Sequence, residues 1–276
     1  MIPKQEILQR ATETNLSAQV IEKDYLLGWL LAGINQHPAV NTSWVFKGGT
    51  CLKKCYFENY RFSEDLDFTV RDKKGLDIEL LKHVFSEIAE WIYEMTGMEL
   101  PSEKISFEPH KEGSCQARIY YRGPIAPTSP RQMPKIKLDL TTSEIIVTSP
   151  VLNFIKHSYS DCPQKGIQTL CYSYVEVFAE KTRALAERAR PRDLYDVINL
   201  FHRPESKELA TKVKAVLEHK CLFKEIKMPE YSDLIKFKEI CLAGWNIQLA
   251  HQLQALPSFE SFWNELPAFF DWLTVE

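Results

Sequence analysis

The run R-F-S-E-D-L-D-F-T-V at residues 61–70 carries the side chains best placed to do chemistry. On a β-strand the side chains alternate between faces, so Ser63, Asp65, Asp67 and Thr69 share one face while Leu66, Phe68 and Val70 share the other. Two neighbouring carboxylates repel each other unless a cation neutralises them, and a divalent ion does so economically. Magnesium suits such a pair because it takes few carboxylates and completes its shell with water and phosphate oxygens. The run K-I-K-L-D-L at residues 135–140 repeats the alternation. Ile136, Leu138 and Leu140 face the core, and Lys137 and Asp139 face the other way. Asp139 is the candidate third carboxylate of a two-metal arrangement that clamps attacking and leaving oxygens. The plain alternative is a solvated strand face, where D-x-D is common.

A second group precedes the first. Trp44-Val45-Phe46 reads as a short strand that ends at Gly48-Gly49-Thr50. Backbone amides freed by glycines cradle phosphate well. Gly48 and Gly49 permit close backbone approach, Thr50 supplies a hydroxyl, and Lys53 lies one turn into the helix that follows. An ordinary strand-to-helix turn would look the same. Neither the Walker A pattern nor G-x-G-x-x-G is present.

A third group lies in the second half. Lys181 has Val177, Phe178, Ala184 and Leu185 at its helical neighbours, all apolar. Such a lysine either snorkels outward or reaches an interior anionic site. If a bound phosphate supplies that anion, Lys181→Met is expected to leave the fold intact. Pro191 starts a helix in P-R-D-L-Y-D. Asp193 falls in its first turn, where a carboxylate suits the positive helix end. Asp196 has Arg192 four residues before it, an intrahelical ion-pair spacing. Arg183, Arg188, Arg190 and Arg192 together could form a basic rim for an RNA backbone, or a solvated helical face.

The elements that hold these residues are legible from periodicity. Helices are expected over Ser17–Leu31, with Ser17 as N-cap, and over Asp77–Thr96. His37-Pro38 ends the first. A short helix spans about Cys51–Phe57. Strands are expected at Trp44–Phe46, Asp65–Val70, Lys104–Phe107, Ala117–Tyr121 and Ile136–Leu140, with a Pro-rich loop over Gly123–Pro134. From about Val151 the composition turns helical and strands disappear. Helices are expected near Tyr174–Arg188, Pro191–Phe201, Ser206–His219, Tyr231–Leu253 and Ser258–Leu273. Strands and helices in separate blocks make an α+β fold, a mixed-sheet N-terminal half carrying a helical C-terminal half.

Composition bounds the rest. The 276 residues suffice for one large or two modest cores. No apolar stretch approaches a membrane span, and residues 1–30 lack the order of a signal peptide. The seven cysteines form no C-x-x-C pair and have no histidines at zinc spacing. Cys51 and Cys55 could lie one helical turn apart, and all seven read as reduced thiols. Cytoplasm is the expected compartment. A net charge of −3 excludes a uniformly basic nucleic-acid coat but leaves room for a local basic groove.

Taken together, F-K-G-G-T-C-L-K-K, R-F-S-E-D-L-D-F, E-K-T-R-A-L and P-R-D-L-Y-D resemble the AbiEii/AbiGii toxin family. These are nucleotidyltransferases of the polymerase-beta-like superfamily. The helix I-E-K-D-Y-L-L-G-W-L-L and the S-F-E-S-F-W-N-E-L ending are also similar, so the resemblance covers most of the chain in order. It implies a nucleotidyltransferase core with N-terminal helices over 1–150, and over 151–276 a helical domain that completes the active site. It implies that Gly48, Gly49 and Thr50 form the phosphate loop and that Asp65 and Asp67 are metal ligands. Lys181 becomes the lysine on the triphosphate and Asp196 an acidic residue essential for activity. Ser63 matches a serine position implicated in several members, and Asp139 fits the third carboxylate.

The reaction so implied is in-line attack of an acceptor hydroxyl on the α-phosphorus of a nucleoside triphosphate, such as ATP, GTP or CTP, releasing pyrophosphate. Magnesium or manganese is the implied cofactor. Relatives act in toxin–antitoxin or phage abortive-infection pairs, and some add nucleotides to the 3′ end of tRNA. RNA is thus the implied acceptor, a cognate antitoxin acting without a stable complex is the implied partner, and no membrane is implied. Two other readings fit parts of the pattern. A metal-dependent phosphohydrolase or nuclease also uses paired aspartates but needs no glycine turn or Lys181. A degenerate nucleotide-binding module would not need Asp65 and Asp67 beside Lys181.

Overall fold

A computed structural model of the chain describes residues 1–110, 113–125 and 133–274, so most of the Pro-rich loop expected over Gly123–Pro134 lies outside the described residues. The chain divides into two compact units, one of Met1–Ser143 with Pro150–Cys171 and one of Glu144–Ser149 with Tyr172–Glu276.

The first unit opens with helices α1 (Lys4–Thr14) and α2 (Ala18–Gln36). The Ser17 hydroxyl caps α2 by accepting from the Val20 amide at 3.4 Å. The chain then forms β1 (Trp44–Lys47) and the one-turn α3 (Gly48–Cys51), which continues as a widened π turn over Leu52–Tyr56. After an extended segment come β2 (Asp65–Val70) and α4 (Ile78–Thr96), the latter capped by the Asp77 carboxylate on the Leu80 amide at 2.9 Å. The remaining strands are β3 (Ile105–Pro109), β4 (Ser114–Tyr120), β5 (Lys135–Thr141), β6 (Val151–Phe154) and β7 (Gln168–Cys171).

These strands form a mixed sheet in the order β3-β4-β5-β2-β1-β7-β6. At its centre β2 runs antiparallel to β1 and parallel to β5. Alternation sorts the faces as the sequence predicts. Leu66 and Phe68 of β2, and Ile136, Leu138 and Leu140 of β5, are buried, whereas Asp65, Asp67 and Asp139 stay partly accessible. An aromatic seam fills the core: Trp44 lies 5.6 Å from Phe68 and 6.1 Å from Phe85 of α4, and Phe85 lies 5.4 Å from Phe107. Each such side chain contributes about 1.5–3 kcal/mol by leaving water. The sheet is therefore held on its apolar face, and the carboxylates are left on the other.

Strands β6 and β7 correct the expectation that strands end near Val151. Each has only four residues, too few to show a period. On the outer strand β6, Leu152 and Phe154 are the exposed members, so apolar residues do not mark the buried side there.

The second unit holds seven helices among its described residues: α5 (Tyr174–Arg188), α6 (Pro191–Phe201), α7 (Ala210–Phe223), α8 (Tyr231–Ile235), α9 (Lys238–Leu249), α10 (Phe259–Trp263) and α11 (Leu266–Thr274). α7 starts later than Ser206 because the buried Ser206 hydroxyl donates to the Leu200 carbonyl at 2.6 Å, within a 3-10 turn over Pro204–Glu208. The two last expected helices are each broken in two. Pro267 accounts for the second break, since its ring clashes with the carbonyl four residues earlier in a continuing helix. Phe178, Phe269 and Trp272 stack at 5.4–5.9 Å to form the aromatic centre.

The segment Glu144–Ser149 belongs to this unit through side chains of α5 and α7. The fully buried Glu176 carboxylate accepts from the Val147 and Thr148 amides at 3.1 and 2.8 Å. Lys220 pairs with Glu176 at 2.7 Å and donates to the Ile145 carbonyl at 3.0 Å. Among the described residues no helix is long and apolar enough to cross a membrane.

Candidate active site

The sheet register brings the carboxylates together. Asp67 of β2 is the direct partner of Asp139 of β5, and Asp65 is the partner of Lys137. Register partners on neighbouring strands project from the same face about 4.8 Å apart, so all three aspartates share one polar surface. Gln116 of β4 extends the row opposite Asp139 and donates to its Oδ1 at 2.8 Å. Lys137 donates to Asp139 Oδ2 at 2.8 Å. Burial alone would lower the Lys137 pKa. The Asp139 hydrogen bond and the charges of Asp139, Asp65 and Asp67 outweigh it and raise the pKa. This lysine thus senses all three carboxylates.

The glycine turn abuts the same surface. Gly48 has φ +80°, a conformation that side-chain-bearing residues rarely adopt, and a Cβ there would overlap the Asp67 carboxylate. A Cβ at Gly49 would overlap the guanidinium of Arg61, which is only 2 % exposed. The Thr50 hydroxyl is buried and donates to the Asp65 carbonyl at 2.5 Å. It ties the turn to the start of β2. Lys53 places its ammonium 3.9 Å from the centre of the Phe62 ring. Burial lowers its pKa, with Asp24 opposing. Ser63 is half-buried in the extended segment before β2.

This surface fits a hard divalent ion. Its donors are carboxylate oxygens, they lie side by side in adjacent strands, and the glycine at 48 lets the turn backbone approach the Asp67 carboxylate closely. Asp65, Asp67 and Asp139 would hold the ion.

In the second unit Lys181 reaches inward, and the anions it meets are the protein's own. Its Nζ lies 2.7 Å from Asp196 and 3.3 Å from Asp193, both essentially inaccessible. Arg188 grips Asp193 with two hydrogen bonds of 2.6 and 3.0 Å. Burial would raise the Asp193 pKa, but Lys181 and Arg188 more than offset it and hold it below the ordinary value. The expectation that Lys181→Met leaves the fold intact is therefore revised, because it would strand two buried carboxylates. The basic rim is corrected too. Arg183 is buried against Glu144 at 2.9 Å and Glu187 at 2.5 Å, and Arg192 donates to the Gln248 carbonyl at 3.3 Å. Arg190 remains exposed.

Three contributors were not assigned roles from sequence. Gln116 carries no motif, and Arg61 opens the R-F-S-E-D-L-D-F run without a role of its own, since only the fold sets them beside Asp139 and Gly49. Lys137 stood on the correct face in the alternation, and its pairing with Asp65 needed the parallel register.

Comparison with known proteins gives a consistent picture. The family model described as nucleotidyl transferase AbiEii toxin, type IV toxin–antitoxin system, matches residues 29–275. No curated protein sequence matches. Among solved structures, MenT4, a nucleotidyltransferase toxin from Mycobacterium tuberculosis, aligns with TM-score 0.64 at 17% identity, covering 100% of this chain and 91% of that one. JHP933 from Helicobacter pylori aligns with TM-score 0.60 at 20% identity, covering 94% of this chain and 93% of that one. At these identities the two structures speak for the fold.

Proposed function

Because the chain belongs to the AbiEii family of nucleotidyl transferase toxins of type IV toxin–antitoxin systems, we propose that it transfers a nucleoside monophosphate from a nucleoside triphosphate to RNA, at the 3′ end of tRNA, with magnesium as cofactor. The observation that carries this reading is the register of Asp67 with Asp139, two positions from Asp65 with Lys137, beside the Gly48 turn.

Bound magnesium would lower the pKa of the attacking hydroxyl and neutralise triphosphate oxygens. The chain's own part is positional. Asp65, Asp67 and Asp139 fix the cation, and Gly48 and Gly49 let backbone amides approach phosphate. Thr50 keeps that turn in register with β2 through the Asp65 carbonyl. Lys53 and Ser63 flank the turn and β2 and complete the proposed nucleotide-binding set. Lys181 is the cation the helical unit offers to phosphate charge, with Asp196 holding its ammonium. Such preorganised charge acts on the transition state without reorganising.

The test offers each labelled nucleoside triphosphate, with magnesium, to the protein and total cellular RNA. The expected result is label in the tRNA bands, lost with EDTA and in Asp67→Ala. Label in no RNA with any triphosphate overturns the acceptor assignment, and undiminished label with EDTA overturns the metal. In cells lacking an antitoxin, wild type is expected to slow growth and Asp67→Ala to leave it unchanged.

A further inference from the structure

Three of the seven cysteines, distant in sequence, meet inside the sheet unit. Cys51 ends α3, Cys55 lies in the π turn that follows, and Cys171 ends β7, where it pairs in register with Phe46 of β1. Their Sγ atoms all lie within 4.8 Å of one another. Cys51 and Cys171 are fully buried and Cys55 is 9 % exposed. The wider π turn brings positions 51 and 55 to one side, toward the end of β7. The Tyr56 hydroxyl lies 4.0 Å from Cys171 Sγ.

Ordinary core packing explains one buried cysteine, since a thiol behaves as a small apolar group. It does not require three sulfurs to converge on one point. A metal–sulfur bond of about 2.3 Å puts the sulfurs of a three-thiolate site about 4 Å apart, so the observed cluster needs only a slight contraction. The donors are all soft, and among the described residues no carboxylate or imidazole joins them. These features select against magnesium and for a thiophilic ion with filled d shell.

We propose that Cys51, Cys55 and Cys171 bind one thiophilic metal ion, zinc(II) or copper(I), directly beneath the glycine turn. The ion would pin Cys51, the residue after Thr50, to the end of β7. Its role is structural, and it is separate from the oxygen-ligated magnesium proposed at Asp65, Asp67 and Asp139.

The full-length, reduced, metal-free protein is titrated with cadmium(II), a spectroscopic substitute for zinc, in excess magnesium. The expected result is one cadmium per chain with a thiolate-to-metal charge-transfer band, equally present in Asp67→Ala and in the control Cys221→Ser. Cys171→Ser is expected to lose the band, and Cys55→Ala to weaken binding at least tenfold. Zinc is expected to raise the melting temperature of wild type and not of Cys55→Ala, which decides the matter should Cys171→Ser fail to fold. Absence of the band in wild type, or full-affinity binding by Cys55→Ala, overturns the proposal. One cadmium bound without the band, and lost in Asp67→Ala, assigns the ion to the carboxylates and also overturns it.

Discussion

Asp67 on β2 and Asp139 on β5 are in-register partners of a parallel strand pair, some seventy residues apart in the chain. Like charges so placed weaken the sheet unless a cation joins them. The pair therefore makes opposite demands on stability and activity. Asp67→Ala and Asp65→Ala are each expected to keep or slightly raise the melting temperature of the metal-free protein while cutting nucleotide transfer at least about a hundredfold. A melt beside a single-turnover assay checks both. Near-normal transfer by either variant would remove it from the metal set.

Lys137 is a resident cation of this surface and donates to Asp139 Oδ2, an oxygen that a metal would need. Lys137→Met is expected to lower the magnesium concentration giving half-maximal transfer. Its effect on stability is expected to stay within about 1 kcal/mol, because the ion pair is part-exposed. Magnesium titrations of the two proteins read this directly. An unchanged midpoint would mean that Lys137 does not compete.

At Gly48 two requirements coincide, a positive φ and the absence of a Cβ against Asp67. Gly48→Ala is expected to cost about 1–2 kcal/mol from the backbone conformation alone and to displace the Asp67 carboxylate. Transfer should then fall more steeply than stability. Denaturant melts and magnesium affinity, measured together, separate the two effects.

Lys181→Met leaves Asp193 and Asp196 buried with less charge compensation, and a loss of about 3–5 kcal/mol is expected. Adding Asp196→Leu should recover part of that stability without restoring transfer. If Lys181→Met alone melts like wild type, the buried ion-pair account fails.

Acid should act on the same cluster. Since the folded pKa of Asp193 is lowered, its stabilising contribution is complete above the ordinary carboxyl value and disappears as pH falls through the lower folded value. The difference in melting temperature between wild type and Asp193→Asn is expected to be full near neutrality and to shrink below about pH 4. A difference that grows in acid would reverse the assignment.

Much of this was legible in sequence because alternation and capping are local. Asp65–Val70, Tyr174–Arg188 and Pro191–Phe201 have the predicted limits. What escaped was non-local. Four-residue strands show no period, so β6 and β7 went unseen. The partners of Lys181 lie in another helix, and apolar neighbours at i±3 and i±4 say that the side chain turns inward without saying what it meets. The Lys137–Asp65 pairing needed the register of two strands. Cys51 and Cys55 were recognised as one turn apart, but their third companion sits on β7, an element the sequence reading had not placed.

The six residues Glu144–Ser149 leave the ribosome before β6 and β7 do, yet their hydrogen-bond partners are made later. During synthesis they must wait for Glu176 and then Lys220. A gene truncated to begin at Tyr172 would encode the helices without that segment. Glu176 and Lys220 would then have each other but neither the Val147 and Thr148 amides nor the Ile145 carbonyl. Exchange of the helical part between related genes therefore has two joints to respect, one on each side of β6 and β7.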